Sequence, residues 1–302
     1  MRSLIIGVRG NVGRWLKKHC ISQGDEVFGV DLKHGIGDDY QTADINDAAG
    51  LVGIFHRFQP QVVYSLAAVV SRVVTEQARS LAVRTNLSGA FDVARLCTEY
   101  GALLVHFSTS EVYGNTENQT EDSTPRPNNF YGLTKYLCED LIKYECAADG
   151  LRAVILRPFM LYCEDEDRGD HRSCMVRFAT DLAHDRPVTV HKGAKCGWLH
   201  MSDAARIIRN ASQCASEKCP VFNVGHPDIH SIQDLAEMIA LELQKPFSLI
   251  KTEDIPERMT LIKYPDLSQQ WARLKPGNLV CVRDGIKLIC SSVLKDIACA
   301  SC

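Results

Sequence analysis

Leu4-Ile5-Ile6-Gly7-Val8-Arg9-Gly10-Asn11-Val12-Gly13 is the stretch that decides the fold. A short apolar run ends in a turn with glycine at 7, 10 and 13, and a helical pattern opens directly afterwards. Glycines let a backbone turn tightly and approach a pyrophosphate, while the free N–H groups of a helix start carry a partial positive charge that suits it. Gly7, Arg9, Gly10, Asn11, Val12 and Gly13 are therefore candidate dinucleotide-binding residues. Asp31 ends the next strand-like run, 18 residues beyond Gly13. A carboxylate there accepts hydrogen bonds from both ribose hydroxyls of an adenosine and repels a 2′-phosphate, so NAD is expected over NADP. Lys33 and Arg9, close by, argue the other way.

Outward from this stretch, short apolar runs alternate with longer helical patterns. Strands are predicted near 2–7, 26–31, 61–66, 103–108 and 152–157, with helices near 11–23, 46–58, 75–99 and 130–149. Such alternation signals repeated βαβ units and a doubly wound parallel α/β sheet. After Arg157-Pro158 the pattern is irregular, and the charged run from Glu164 to Arg172 reads as a solvated loop over the site. Val221-Phe222-Asn223-Val224-Gly225 looks like a further core strand, and Ser231 caps an amphipathic helix that reaches Gln244. The expected organisation is a nucleotide-binding domain over 1–158 with a returning segment at 197–226. A smaller, discontinuous substrate-binding cap is expected over 159–196 and 227–302.

Composition sets limits on function. Of 302 residues, 45% are hydrophobic and 24% charged, as in an ordinary globular enzyme. A formal charge of −3 offers no basic footprint, so no nucleic acid partner is expected. No apolar run approaches the ~20 residues of a membrane-spanning helix, so no membrane partner is expected either. Met1-Arg2-Ser3 runs straight into the first strand without a signal-peptide pattern, and the thirteen cysteines are scattered. They read as reduced thiols, which implies a cytoplasmic location. The lone C-x-x-C, Cys299 to Cys302, has no second pair to complete four zinc ligands and reads as a frayed tail, so no metal is expected. Cys138 and Cys146 read as buried structural thiols, and His200 as a satisfied core residue.

Tyr131-Gly132-Leu133-Thr134-Lys135 puts a phenol and an ammonium four residues apart, on one face of a helix. To take a proton from a sugar hydroxyl, the phenol must come down from a pKa of ~10 to near 7, about 4 kcal/mol. One ammonium at ~4 Å in an effective dielectric of ~20 supplies about that much. Tyr131 and Lys135 are thus a candidate catalytic pair.

Several motifs in one order carry a resemblance. They are the glycine turn, Asp44-Ile45, Leu66-Ala67-Ala68, Asn86-Leu87-Ser88-Gly89, Ser108-Thr109-Ser110-Glu111-Val112-Tyr113-Gly114, the Tyr/Lys pair, Arg157-Pro158-Phe159, and Trp198-Leu199-His200-Met201-Ser202-Asp203. Over roughly residues 1–225 the chain resembles the extended short-chain dehydrogenases that act on nucleotide sugars. The resemblance implies a Rossmann-type sheet and a Ser/Thr-Tyr-Lys triad. Thr109 would hydrogen-bond the sugar 4-hydroxyl as Tyr131 removes its proton and C4 gives hydride to NAD, while Lys135 would also hold the nicotinamide ribose. Asp44 and Ile45 would flank the adenine, Leu66, Ala67 and Ala68 would line the cofactor groove, Asn86 would brace the sheet behind the site, and Pro158 would join the cofactor set.

Thr109-Ser110-Glu111 matches the Thr-x-Glu of 4,6-dehydratases and nucleotide-glucuronate decarboxylases, where epimerases carry a small or hydroxyl residue. Beside a C4 ketone the C5 proton is acidified, and Glu111 could remove it as a general base. The alternative is a Glu111 that caps a turn or pairs with a cation. Pro127-Asn128-Asn129-Phe130 lacks the arginine that decarboxylases place before the tyrosine. Met160 stands where the family has an asparagine, and the arginine before the Trp198 motif is replaced around Cys196-Gly197. A diphosphate still needs polar partners, and Ser110, Arg172, Lys192, Lys195 and Arg258 are the candidates. The expectation is an NAD-dependent enzyme working through a 4-keto nucleotide sugar, a 4,6-dehydratase ahead of an epimerase. A simple ketone or alcohol dehydrogenase and a silent NAD-binding regulator are the alternatives. The long helices near 75–99 and 130–149 imply, by the same resemblance, a homodimer.

Overall fold

Ser3, Leu4, Ile5 and Ile6 are all buried, as a central parallel strand with both faces covered requires. In the computed structural model, which describes every residue except 36, 71, 117–118, 167–172, 255–259, 261 and 301–302, this strand is β1 (Arg2–Ile6). It feeds the glycine turn and α1 (Asn11–Ser22), then β2 (Glu26–Asp31) and a short β3 (Tyr40–Thr42). From sequence β3 is missed, because three residues without an apolar run carry no strand signal. The helix α2 (Ala48–Phe58) starts at Asp47, whose carboxylate accepts the Gly50 N–H at 3.0 Å, and leads to β4 (Val62–Ser65).

The single helix predicted near 75–99 is broken in the structure. It consists of α3 (Arg72–Gln77), α4 (Arg79–Ala82), a π-helical stretch Val83–Gly89 and α5 (Ala90–Tyr100). Ala78, at φ −120° and ψ 52°, makes the first break. The wider π turn carries Asn86, fully buried, whose side-chain oxygen accepts the Val69 N–H at 2.7 Å and whose amide donates to the Val69 carbonyl at 3.0 Å. Next come β5 (Leu103–Phe107), α6 (Phe130–Asp149), β6 (Ala153–Pro158) and β7 (Met160–Tyr162).

The chain continues through α7 (Cys174–Ala183), β8 (Val188–His191), β9 (Lys195–His200), α8 (Met201–Ala211) and β10 (Val221–Val224). It ends in β11 (Ile229–Ser231), α9 (Ile232–Glu242), β12 (Ile250–Glu253), β13 (Ile262–Lys263) and α10 (Val282–Ala300). Ser231 caps α9 as its sequence predicts, in a reciprocal capping box with Asp234. Cys299 lies on the last turn of α10 rather than in a frayed tail, while Cys302 lies outside the described residues.

Seven strands form one parallel sheet in the order β10-β6-β5-β4-β1-β2-β3. This is the doubly wound, Rossmann-type α/β arrangement that the alternation predicts. Leu51, Phe55, Val93, Cys97, Cys138 and Ile142 pack on one face, while Leu16, Cys20, Ala204, Ile207 and Ile208 cover the other through α1 and α8. A second, smaller sheet centres on β9, which pairs with β7, β11 and β13. Beside it α7, α9 and α10 enclose a third apolar cluster around Trp198, Phe178 and Ile239. Among the described residues no helix is long and apolar enough to cross a membrane.

Candidate active site at the switch point of the sheet

The chain order reverses at β1, which has β2 on one side and β4 on the other. Connections leave these strand ends in opposite directions, so a crevice opens at their carboxyl ends. A cavity of about 640 Å³ occupies it. Gly7, Gly10, Asn11, Val12, Gly13 and Asp31 line its floor and one side, and Asp44, Ile45, Leu66, Ala67, Ala68 and Pro158 line the rest of that end. A Cβ at Gly13 would lie 2.2 Å from the Gly7 carbonyl oxygen, so only glycine lets α1 start this close to the turn. The Asp31 carboxylate accepts the Arg9 N–H at 2.9 Å and the Lys33 N–H at 3.1 Å. That fixes its oxygens at the rim, where ribose hydroxyls can share them, so turn and carboxylate together fit a dinucleotide. Arg9 turns its side chain away, donating to the His34 carbonyl at 2.8 Å and lying over the Tyr40 ring.

Three expected cofactor residues do not line this cavity: Arg9, already described, Asn86 and Lys135. Asn86 stands behind it, joining the Val69 backbone to Thr134 of α6. Lys135 is buried at 2% exposure, and its charge acts on His106 and Glu139. Burial pushes the Lys135 ammonium down.

At the other end of the cavity Thr109, Ser110 and Glu111 meet Tyr131. Thr109 is extended and its hydroxyl accepts the Glu111 N–H at 3.2 Å, which starts the tight turn Ser110–Tyr113. Asn129 caps α6, its side-chain oxygen accepting the Gly132 N–H at 2.9 Å, and so aims Tyr131 from the first turn. Gly132 makes the approach possible, since a Cβ there would lie 2.5 Å from the Glu111 carbonyl oxygen. The phenol is pushed up to about 12, first by burial and then by the Glu111 charge, with the hydrogen bond to Thr109 acting the other way. Without cofactor, the groups that act on the phenol are thus burial, Glu111 and Thr109, and the Lys135 charge expected to bring it down is not among them. In this site the ammonium faces other groups, while a carboxylate sits beside the phenol.

Glu111 does what its alternative reading describes, and pairs with a cation. Lys263 Nζ donates to Oε1 at 2.7 Å, while Thr260 Oγ1 and Asn129 Nδ2 donate to Oε2 at 2.6 and 2.8 Å. Burial pushes this carboxyl up, but the Lys263 charge and the three hydrogen bonds outweigh it and hold it at about 2. Beneath the pair, Glu139 is fully buried and takes the Arg157 guanidinium at 2.7 Å, and Arg157 also donates to Tyr113 Oη at 2.9 Å.

Of the cations expected for a diphosphate, the two lysines that fall among the described residues are not gathered here. Lys192 is exposed and pairs with Asp254 at 3.0 Å, and Lys195 is exposed on β9; neither lines the cavity. Arg172 and Arg258 lie outside the described residues. Among the described residues, the cations that line the cavity are Arg72 and Lys263, which sequence reasoning passes over, as well as Lys33 at the adenosine end. Asn129, a residue of N-cap type just before the helix predicted near 130–149, carries a signal that the sequence reading did not use. Lys263, 152 positions from Glu111, has no comparable signal.

Comparison with known proteins agrees with this geometry. The model of the NAD dependent epimerase/dehydratase family matches residues 3–225. Methionine adenosyltransferase 2 subunit beta of Rattus norvegicus is 28% identical over 213 residues, covering 70% of this chain and 62% of that protein. The Mus musculus protein of the same name matches equally. The chain thus aligns with less than two thirds of the length of these curated relatives. UDP-glucose 4-epimerase of Thermotoga maritima, solved with UDP-glucose, superposes with a TM-score of 0.90 at 20% identity, covering 98% of this chain and 100% of that one. The dTDP-glucose 4,6-dehydratase of Streptomyces venezuelae, solved with NAD, gives 0.88 at 19% identity, covering 99% and 98%. At these identities the structures share the fold.

Proposed function

The chain belongs to the NAD-dependent epimerase/dehydratase family, and from that premise we propose that it is a nucleotide-sugar epimerase working at C4. NAD, when bound, supplies a hydride acceptor and donor and a positive ring that favours an ionised phenol. Tyr131 takes the proton of the sugar C4 hydroxyl as the C4 hydride departs. Thr109, hydrogen-bonded to the phenol, holds that hydroxyl in line. The 4-keto sugar then turns its other face, receives the hydride back at C4, and regains the proton from Tyr131. The glycine turn and Asp31 would hold the dinucleotide.

The observation that carries this reading over the dehydratase is the engagement of both Glu111 oxygens. With both oxygens taken by donors and the Lys263 charge holding the carboxyl below its usual range, Glu111 is a poor acceptor for a C5 proton. Epimerisation asks nothing of Glu111. The test is to incubate the NAD-loaded protein with UDP-, GDP-, dTDP- and CDP-sugars and follow product mass and C4 configuration. Unchanged mass with inverted C4, lost in Tyr131→Phe, is expected. Net reduction of a free ketone instead would make it a simple dehydrogenase.

The likeness to a methionine adenosyltransferase subunit favours a second reading, a binding subunit that holds NAD without turnover. Its signature is NAD binding with no change in any sugar nucleotide. We also propose a homodimer through α6 and the stretch from α3 to the π turn, where Leu133, Leu137, Tyr144, Val73, Leu81 and Val83 are exposed.

A further inference from the structure

We propose that Lys263 is a specificity-determining residue: by holding Glu111 in an ion pair beside Tyr131, it keeps a 4-keto sugar on the path back to C4 and closes the path to water loss. This rests on C4 oxidation as the reaction of the site. Glu111 follows Thr109 by two residues and its charge acts directly on the Tyr131 phenol, so it stands beside the reacting sugar carbon. Such a carboxylate invites elimination. It would take the C5 proton, the electrons of that C–H bond would form a C5–C6 double bond as the C6–O bond breaks, and water would leave with the C6 oxygen. The hydride removed from C4 would then go to C6 and a proton to C5, leaving a product lighter by one water with no external oxidant.

The structure opposes each part of this. Oε1 is occupied by Lys263 Nζ at 2.7 Å, and Oε2 by Thr260 and Asn129. Lys263 is itself set by two further contacts. It lies on β13, paired in register with Cys196 of β9, and its ammonium also rests 3.4 Å from Met160 Sδ. Met160 replaces the amide expected after Arg157-Pro158-Phe159, and a thioether leaves the ammonium free to commit to Glu111. Both members of the pair are 16% exposed and line the cavity, so the pair faces substrate without dissolving into solvent. Thr260, Asn129 and Tyr131 are the other groups that face Glu111, while Arg72 and Cys196 act on Lys263. Burial alone would raise the Glu111 carboxyl, so its acidity is owed to Lys263 first.

The experiment compares wild type, Lys263→Met and Lys263→Arg, each loaded with NAD, on the sugar nucleotide that wild type converts. A carboxylate titration of cofactor-free protein by ¹³C NMR accompanies it. Lys263→Met should raise the Glu111 titration by roughly 2–3 pH units and release a product lighter by one water, while Lys263→Arg restores both wild-type outcomes. Should Lys263→Met fail to fold, Thr260→Val, which removes a neutral donor, should move both readouts in the same direction by less. A wild type that epimerises, with a variant whose Glu111 titrates upward yet still only epimerises, overturns the proposal and leaves C4 oxidation standing. Wild-type loss of water overturns it too. A wild type that changes no sugar nucleotide removes the reaction itself.

Discussion

Glu111 shows how one side chain reverses its expected role through its neighbours. Thr-x-Glu spacing makes it legible as a base, but what decides its chemistry is a lysine far along the chain, and no local periodicity connects the two. Its displacement from an ordinary 4.5 to about 2 is worth roughly 3 kcal/mol. The folded value is depressed, so this stabilisation is present above the unfolded pKa and is lost as pH falls towards 2. Chemical unfolding of wild type and Glu111→Gln should therefore differ most near pH 7, with the gap closing between about pH 5 and 2. A gap independent of pH would mean that the ion pair contributes nothing to folding. Tyr131 carries a similar lesson. The four-residue spacing to Lys135 correctly puts both on one helix, yet burial and Glu111 govern the phenol, and neither is visible in a spacing.

At the scale of elements, the βαβ alternation and the glycine turn were readable because strand period, helix period and turn residues all agree there. The break-up of the helix near 75–99 was not, since no residue spacing there distinguishes a π turn from an α turn, and what the wider turn serves is a contact of Asn86 with the distant Val69 backbone. The start of α6 deserves a direct test, because Asn129 both caps the helix that aims Tyr131 and donates to Glu111. Asn129→Ala should cost about 1–2 kcal/mol in urea unfolding. Turnover should fall further than stability explains, because Tyr131 loses its anchor. An Asn129→Asp variant keeps the cap and should recover most of the stability but not the donor to Glu111. Equal stability of wild type and Asn129→Ala would show that the cap is supplied by other means.

The whole molecule combines a doubly wound parallel sheet that was foreseeable with long-range contacts from the last third of the chain that were not. Residues 1–158 advertise themselves by repetition, whereas Thr260 and Lys263 reach the site from a short segment with no pattern of its own. The apolar stripe of Leu133, Leu137 and Tyr144 is exposed on one face of α6. Sedimentation should give twice the chain mass, falling to one in Leu137→Asp combined with Tyr144→Asp, and a wild-type monomer at micromolar concentration would remove the dimer. For the central claim, that hydride leaves C4 and returns there, the most direct measurement is the fate of deuterium placed at C4 of the sugar. The label should be found by NMR at C4 of the inverted product. Deuterium at C6 of a product that has lost water, or deuterium released to solvent, would contradict it.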